Sequence, residues 1–185
     1  MFLRKSRIEP LPVTMSAVRM GERVLQVGVD DPAVASAIAA KVGLSGNAAI
    51  AVTDDREAAR AHGAAASAGI LVDVKVTSLA SLPFDNDAFD LIVVHSAHGL
   101  LSSLDAQARL AAMREWHRAV RRGGRVMTIE AGPVTGLTGF MRQSRSNESY
   151  EAGGGIVAEL EAAGFRPVRL LAEREGYKFV EGIKS

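Results

Sequence analysis

The sequence predicts a doubly wound α/β domain whose sheet has seven mostly parallel strands and ends in a C-terminal antiparallel hairpin. Short apolar runs alternate with helix-length stretches, a pattern typical of parallel βαβ units. The run at residues 89–95 is almost unbroken in apolar residues, as expected for a strand buried on both faces. Only a few residues, including Arg174-Glu175-Gly176, separate the last two apolar runs, a spacing that suits a hairpin.

Each element has a local signal. Asp31-Pro32 and Asp54 or Asp55 provide helix starts, and Gly43 and Gly164 provide helix ends. The predicted strands cover residues 23–28, 48–53, 71–77, 89–95, 125–130, 165–171 and 177–183. The predicted helices cover residues 33–42, 56–68, 105–121 and 152–163.

Composition bounds the domain organisation and the classes of function. A chain of 185 residues with 48% apolar residues can build one domain, assigned here to residues 21–185 after an N-terminal arm at 1–20. Pro10 and Pro12 favour an extended arm or short turns. The absence of cysteine excludes disulfides and thiolate catalysis. No apolar run is long enough for a membrane span or signal peptide, so a cytoplasmic protein is expected.

Four stretches follow one another along the chain: the strand and glycine turn at 21–28, the Leu-Pro-Phe stretch at 82–90, the helix end and Gly pair at 115–124, and Ala-Gly-Phe at 163–165 with the closing hairpin. In this order and spacing they resemble class I SAM-dependent methyltransferases of the small, type 11 kind. The resemblance implies a Rossmann-like fold and S-adenosylmethionine as cofactor. It also implies a site in the loops after the first four strands, at the carboxyl edge where open α/β sheets bind ligands.

The loop after the first strand departs from the pattern of such families, which is Gly-x-Gly-x-Gly with an acid two residues earlier. Gly28 is retained, while Gln26, Asp30 and Pro32 stand where the acid and the other two glycines are expected. Asp30 would add strain if its φ stayed positive, and its charge would lie near the cofactor's carboxylate. The resemblance therefore implies weakened SAM binding. Alternatively, Asp31-Pro32 serves only as a helix cap.

Three further residues are assigned to the cofactor by the resemblance. Asp54 stands where the family's ribose-binding acid lies, although it could instead cap the following helix. Ser78 and Leu79 stand near the expected adenine, Ser78 through its hydroxyl and Leu79 through its backbone amide. An ordinary strand end is the alternative for this pair.

His95 and His98 follow the fourth strand, at the mouth of the expected pocket. Either could act as a general base for an acceptor hydroxyl or amine, and His95 could also contact the cofactor. Loop polarity alone is the alternative explanation. No third ligand has suitable spacing, so no metal site is predicted.

Two other segments bear on the binding of an acceptor or of nucleic acid. The glycine-rich stretch at residues 132–155 carries Phe140-Met141 and is a candidate acceptor-binding lid, or else a connector. Arg114, Arg118, Arg121 and Arg122 would share one face of the long helix. A solvated face is the simpler explanation, because aromatic residues for stacking on bases are few and the net charge is only +1, so nucleic-acid binding is not expected.

The leading hypothesis is a SAM-dependent methyltransferase with a small acceptor, because no substrate domain is inserted. One alternative is a non-catalytic relative that keeps the fold as a binding or interaction protein, which the lost glycines favour. Another is an NAD(P)-dependent enzyme, but the glycine loop departs from that fingerprint as well. The sequence predicts neither the acceptor nor the oligomeric state.

Overall fold

The computed structural model describes residues 9–132, 150 and 154–185. Its sheet has seven strands in the order β3-β2-β1-β4-β5-β7-β6. The β1–β2, β1–β4, β2–β3 and β4–β5 pairs are parallel, whereas β7 is antiparallel to both β5 and β6. The predicted seven-stranded, mostly parallel sheet with a C-terminal antiparallel hairpin is therefore confirmed.

The strands and helices alternate along most of the chain. The strands are β1 Arg23–Val27, β2 Asn47–Val52, β3 Asp73–Val76, β4 Phe89–Ser96, β5 Val120–Ala131, β6 Val168–Arg174 and β7 Tyr177–Ile183. The described helices are α1 Leu11–Ser16, α2 Pro32–Val42, α3 Asp55–Ala68, α4 Ala106–Ala119 and α5 Gly155–Ala162. None of them is both long and apolar enough to cross a bilayer.

Strand β4 forms the centre of the core, as its apolar continuity predicts. Alternate residues of a strand face opposite sides of the sheet. Ile92 and Val94 accordingly belong to the cluster that contains Trp116, and Leu91 and Val93 to the cluster that contains Ile38. The strand is thus covered on both faces, which fixes its register against β1 and β5.

Aspartates cap three of the helices at the carboxyl edge. The carboxylates of Asp31, Asp54 and Asp105 accept backbone N–H bonds at the starts of α2, α3 and α4. Such caps satisfy amide groups that have no partner inside the helix. They also fix where each loop above the sheet ends and its helix begins.

Several elements differ from the sequence prediction, and β6 covers residues 168–174 rather than 165–171. Residues 11–16 form the short helix α1 where an extended arm or short turns are predicted, with Val13 packed in the core. Strand β5 begins at Val120 and passes through the Gly pair with a register irregularity, so the long helix ends at Ala119. Arg121 and Arg122 consequently lie on a strand and do not extend an arginine face of the helix.

The Leu-Pro-Phe stretch is anchored to α4 by an ion pair. The backbone N–H of Leu82 donates to Oε1 of Glu115 at 2.8 Å, and Arg118 donates to the same oxygen at 2.7 Å. Arg118 also reaches the carbonyl oxygen of Leu82 at 3.3 Å. The Arg118 hydrogen bond, followed by the one from Leu82, keeps the pKa of Glu115 below its usual value.

The amino edge of the sheet is joined by ion pairs. Asp90, at the start of β4, accepts hydrogen bonds from Arg23 of β1 and Arg121 of β5. Burial opposes its charged form, but these bonds outweigh burial and hold the pKa of Asp90 below its usual value. Arg125 pairs with Glu22 at 2.9 Å in the same region. The edge opposite the predicted site therefore ties three neighbouring strands together.

Candidate functional site

A groove of two adjoining cavities lies over the carboxyl edge of the sheet. The larger cavity, of about 520 Å³, is lined by Thr53 after β2, the end of β3 and its following turn, and Leu104. The smaller, of about 260 Å³, is lined by Val29 and Asp30 after β1, by α3, and by the loop after β4. Leu100 and Ser103 line both cavities. Hereafter "the groove" means both cavities together.

Gly28 lets the end of β1 approach β4 closely. Its φ is +74°, a region that residues with a side chain rarely adopt. A Cβ at this position would lie 3.0 Å from the carbonyl oxygen of His95 and 2.9 Å from Cδ2 of Leu100. Leu100 lines the groove. Because Gly28 has no side chain, Leu100 can pack directly against the turn after β1.

Gln26 and His95 form a buried pair beneath this turn. Nε2 of Gln26 donates to the carbonyl oxygen of Ala35 at 2.9 Å, so Oε1 is the atom that faces Nε2 of His95, also at 2.9 Å. Since an amide oxygen only accepts, the proton of His95 is on Nε2. Burial lowers the pKa of His95 to about 4, against the opposing effect of Asp30 and Asp31. His95 is thus neutral at pH 7 and only 2% exposed.

Asp30 bridges the loops after β1 and β4. Its carboxylate accepts the backbone N–H of His98 at 3.2 Å, and Nδ1 of His98 lies 3.7 Å away. Its backbone carbonyl accepts from Arg60 at 3.0 Å. In the described part of the chain, positive φ outside glycine occurs at Ala17, Asp87 and Glu175, so the strain expected at Asp30 is not present. Its carboxylate nevertheless lies in the smaller cavity, whereas the His98 side chain is 75% exposed.

The acidic residues after β2 divide into a cap and a groove residue. Asp54 accepts the N–H of Glu57 at 2.8 Å as the cap of α3, and it lines neither cavity of the described groove. Glu57 turns back toward the sheet, and its Oε2 accepts from the backbone N–H of Thr53 at 3.2 Å and from its hydroxyl at 3.3 Å. Sequence reasoning missed Thr53 and Glu57, although acids three residues apart at a helix start are a capping signal.

Ser78 and Leu79 both line the larger cavity. The hydroxyl of Ser78 accepts the N–H of Ala80 at 3.3 Å, and Thr77 donates its hydroxyl to the carbonyl of Ser81 at 2.9 Å. These bonds fix the turn after β3. The side chain of Leu79 is buried in the core.

A second buried polar cluster lies beside the groove. Arg109, 8% exposed, donates from Nε to both carboxylate oxygens of Glu159 at 2.8 and 3.0 Å, and Nη1 donates to the carbonyl of Leu104. Its guanidinium carbon lies 4.7 Å from the ring centroid of Tyr150, whose hydroxyl donates to Glu130 at 2.9 Å. Burial, followed by the charge of Glu130, raises the pKa of Tyr150. Arg109 interrupts the apolar stripe of α4, a signal that sequence reasoning passed over.

The predicted residues therefore fall into three groups. Gly28, Asp30, Ser78, Leu79 and His98 lie at the groove, His95 lies buried beneath it, and Asp54 caps α3 beside it. The predicted lid at 132–155 falls almost entirely outside the described residues. Across the described ranges, no three His, Asp or Glu side chains cluster as a metal ion would require.

Curated relatives match about two thirds of the chain. The ubiquinone/menaquinone biosynthesis C-methyltransferase UbiE of Cupriavidus taiwanensis is 32% identical over 124 residues, which are 66% of this chain and 48% of that protein. The same enzyme of Cupriavidus metallidurans is 30% identical over 124 residues, which again are 66% of this chain and 48% of that protein. The match thus spans about half the length of these relatives.

Solved structures share the fold at low identity. A SAM-dependent methyltransferase from Aquifex aeolicus has a TM-score of 0.72 at 18% identity, covering 94% of this chain and 87% of that one. The [4+2]-cyclase SpnF has a TM-score of 0.68 at 15% identity, covering 94% and 79%. PigF with SAH has a TM-score of 0.61 at 19% identity, covering 89% and 51%.

The family model described as a methyltransferase domain matches residues 25–128, a span that runs from β1 into β5 and includes every strand beneath the groove. With the strand order and the carboxyl-edge groove, this match shows that the chain belongs to the class I SAM-dependent methyltransferase family.

Proposed function

We propose that this protein is a methyltransferase that binds SAM in the groove and transfers its methyl group to a small molecule. The observation that carries the proposal is the groove itself, which lies over the carboxyl edge where β1 and β4 come together around Gly28. Ligands of open α/β sheets bind at this edge.

The groove residues fit such a cofactor by size and by chemistry. The larger cavity is within the usual range for small-molecule sites. Its fixed turn offers a hydroxyl at Ser78 and backbone groups at Leu79, which suit the edge of an adenine. Leu100 and Leu104 supply apolar walls for the ring faces. The smaller cavity, with Asp30 and His98, would receive the amino-acid end.

Positioning is the main contribution that these residues can make to the reaction. When bound, SAM supplies an electrophilic methyl group on a sulfonium. The side chains of the groove hold reactants in line and exclude water, which lowers the barrier without an acid–base triad. Of the two histidines, the exposed His98 is the better candidate to accept an acceptor's proton, because the Nε2 proton of His95 is engaged by Gln26.

The names of the UbiE relatives suggest the first class of acceptor to test. We propose small aromatic or quinone-type molecules, with transfer to carbon or to a ring hydroxyl. Nucleic acid is not proposed as the acceptor, because much of the basic surface is taken up in ion pairs such as those of Arg118 and Arg121.

The second candidate function is a binding protein or an enzyme that uses the fold for other chemistry. SpnF, a [4+2]-cyclase of similar fold, illustrates that this architecture does not fix one reaction. The burial of Gln26 against His95 favours this alternative, since a fully buried amide does not reach a cofactor ammonium in the groove.

Calorimetric titration with SAM and with S-adenosylhomocysteine tests the proposal without knowledge of the acceptor. We expect saturable one-to-one binding, followed by transfer of labelled methyl from SAM to members of an aromatic acceptor panel. Binding without transfer to any acceptor would favour the second candidate. No binding of either compound at millimolar concentration would overturn the proposal.

A further inference from the structure

The end of β2 lacks an acid that faces the groove from the strand itself. Val52, the last residue of the strand, is apolar and fully buried, and Thr53 lines the larger cavity. Asp54 faces the first turn of α3, where its carboxylate is occupied as the helix cap. A ligand lying across the end of β2 would therefore meet a threonine where an acid is expected.

Glu57 brings a carboxylate to the same place from the first turn of α3. It is half-buried and lines the smaller cavity, while its Oε2 accepts both the backbone N–H and the hydroxyl of Thr53, which lines the larger cavity. The carboxylate is thus held at the junction of the two cavities. Thr53 fixes its position by two hydrogen bonds rather than by one.

The carboxylate of Glu57 keeps acceptor capacity for a ligand. A carboxylate offers about four acceptor sites, and the bonds from Thr53 use two of them. Within the described part of the chain, Oε1 accepts no further hydrogen bond. A pair of neighbouring hydroxyl groups is the ligand chemistry that such a half-used carboxylate fits best, because charge-assisted O–H···O⁻ bonds are strong.

We infer that Glu57, positioned by Thr53, is the residue that binds the ribose diol of an adenosine-type cofactor in this protein, in place of Asp54. This inference rests on the proposed function. It makes Glu57 a determinant of specificity for ribose over deoxyribose, and it leaves Asp54 with a structural role at the start of α3.

The test is a cycle in which the carboxylate and the ligand hydroxyls are removed separately. Calorimetry measures binding of S-adenosylhomocysteine, adenosine, 2′-deoxyadenosine and 3′-deoxyadenosine to the wild-type protein and to Glu57→Gln. We expect Glu57→Gln to weaken binding of S-adenosylhomocysteine and adenosine by about ten- to hundredfold. The wild-type protein should prefer adenosine to at least one deoxyadenosine by a similar factor, and Glu57→Gln should lose that preference.

Three further variants separate the roles. Glu161→Gln removes an exposed carboxylate from α5, away from the groove, and should leave every affinity unchanged. Asp54→Asn keeps a good helix cap and should retain the preference for ribose. Glu57→Asp keeps the charge but shortens the side chain, and it should also lose the preference. This variant decides the matter if Glu57→Gln does not fold.

The outcomes distinguish this inference from the proposed function. If the wild-type protein binds neither S-adenosylhomocysteine nor adenosine, both the proposed function and the role of Glu57 are overturned. Tight binding that Glu57→Gln and Glu57→Asp leave unchanged would overturn only the role of Glu57. Loss of the ribose preference in Asp54→Asn alone would return the role to Asp54.

Discussion

Oε1 of Gln26 on β1 and Nε2 of His95 on β4 lie 2.9 Å apart across the two central strands, both residues being at most 2% exposed. Burial keeps His95 neutral, because it lowers the pKa of His95 to about 4. Its imidazole therefore stays unprotonated in the folded protein at pH values where an unfolded chain would bind a proton.

This difference predicts a pH dependence of stability. Between pH 6.5, the ordinary pKa of the group, and about 4, the unfolded state binds a proton that the folded state does not. The free energy of unfolding should therefore fall as the pH falls through this window, by roughly 3 kcal/mol in all from this group. Urea denaturation at a series of pH values measures the slope. In His95→Asn the slope should be smaller, and an NMR titration of His95 with a midpoint near 6.5 would contradict the account.

Gly28→Ala should be costly for two reasons that a matched control separates. Gly28 and Gly69 have similar positive φ values, +74° and +67°, but a Cβ at Gly69 meets nothing within 4 Å. Gly69→Ala should cost about 1 kcal/mol of stability from backbone strain alone. Gly28→Ala should cost about 1–3 kcal/mol more, from the clash with Leu100 and the His95 carbonyl. Equal losses of stability in the two variants, measured by the denaturant midpoint, would show that the close approach of Gly28 to Leu100 and the His95 carbonyl does not affect stability.

Asp30→Asn should strengthen binding of S-adenosylhomocysteine. The asparagine can still accept the N–H of His98, but it removes a negative charge from the cavity that would receive the amino-acid end of the ligand. We expect a gain of about fivefold, equivalent to ~1 kcal/mol, that shrinks as ionic strength rises. Asp73→Asn removes an exposed charge from β3 and serves as the control. Weaker binding in Asp30→Asn would indicate that the carboxylate instead pairs with the ligand's ammonium.

Arg109 and Glu159 should show strong energetic coupling. Arg109→Met leaves the Glu159 carboxylate, whose side chain is 20% exposed, without its charged partner and should cost about 2–4 kcal/mol. Adding Glu159→Leu should recover at least ~1 kcal/mol, because no unpaired charge is then left partly buried. Chemical denaturation of the two single variants and the double variant completes the cycle. Additive losses would mean that the pair contributes nothing specific.

Much of the fold could be predicted from local patterns. The unbroken apolar run of β4 predicts burial on both faces, and the run at Tyr177–Ile183 coincides with β7. Helix α1 could not be predicted, because six residues hold too little periodicity and Val13 is buried only by tertiary packing. The resemblance places the Gly pair at the end of the long helix, but the pair lies within β5, where a Cβ at Gly124 would lie 2.9 Å from the carbonyl oxygen of Asp90. Glycine is needed there for strand approach, which only the folded sheet reveals.

The site could be predicted by region but less well by residue. Gly28 and the turn at Ser78 lie where the resemblance implies. Which acid after β2 faces the groove depends on the residue at which α3 begins. If α3 began one residue later, Asp55 would be the cap and Asp54 would be free to face the groove. Asp54 takes the cap, and this leaves Glu57 against Thr53. The strain expected at Asp30 also depended on a backbone angle that the residue type alone does not determine.

The ion pairs of Asp90 with Arg23 and Arg121 place the residues that align the central strands far from the groove. They join β1, β4 and β5 at the edge farthest from the groove, so the strands remain aligned whatever loops follow their other ends. Substitutions at distant, independent sites have nearly additive effects. Substitutions in or just before the glycine loop, as at Gln26 and Asp30, therefore leave this ion-paired edge in place. The ion-paired edge and the groove thus lie at opposite ends of the same strands.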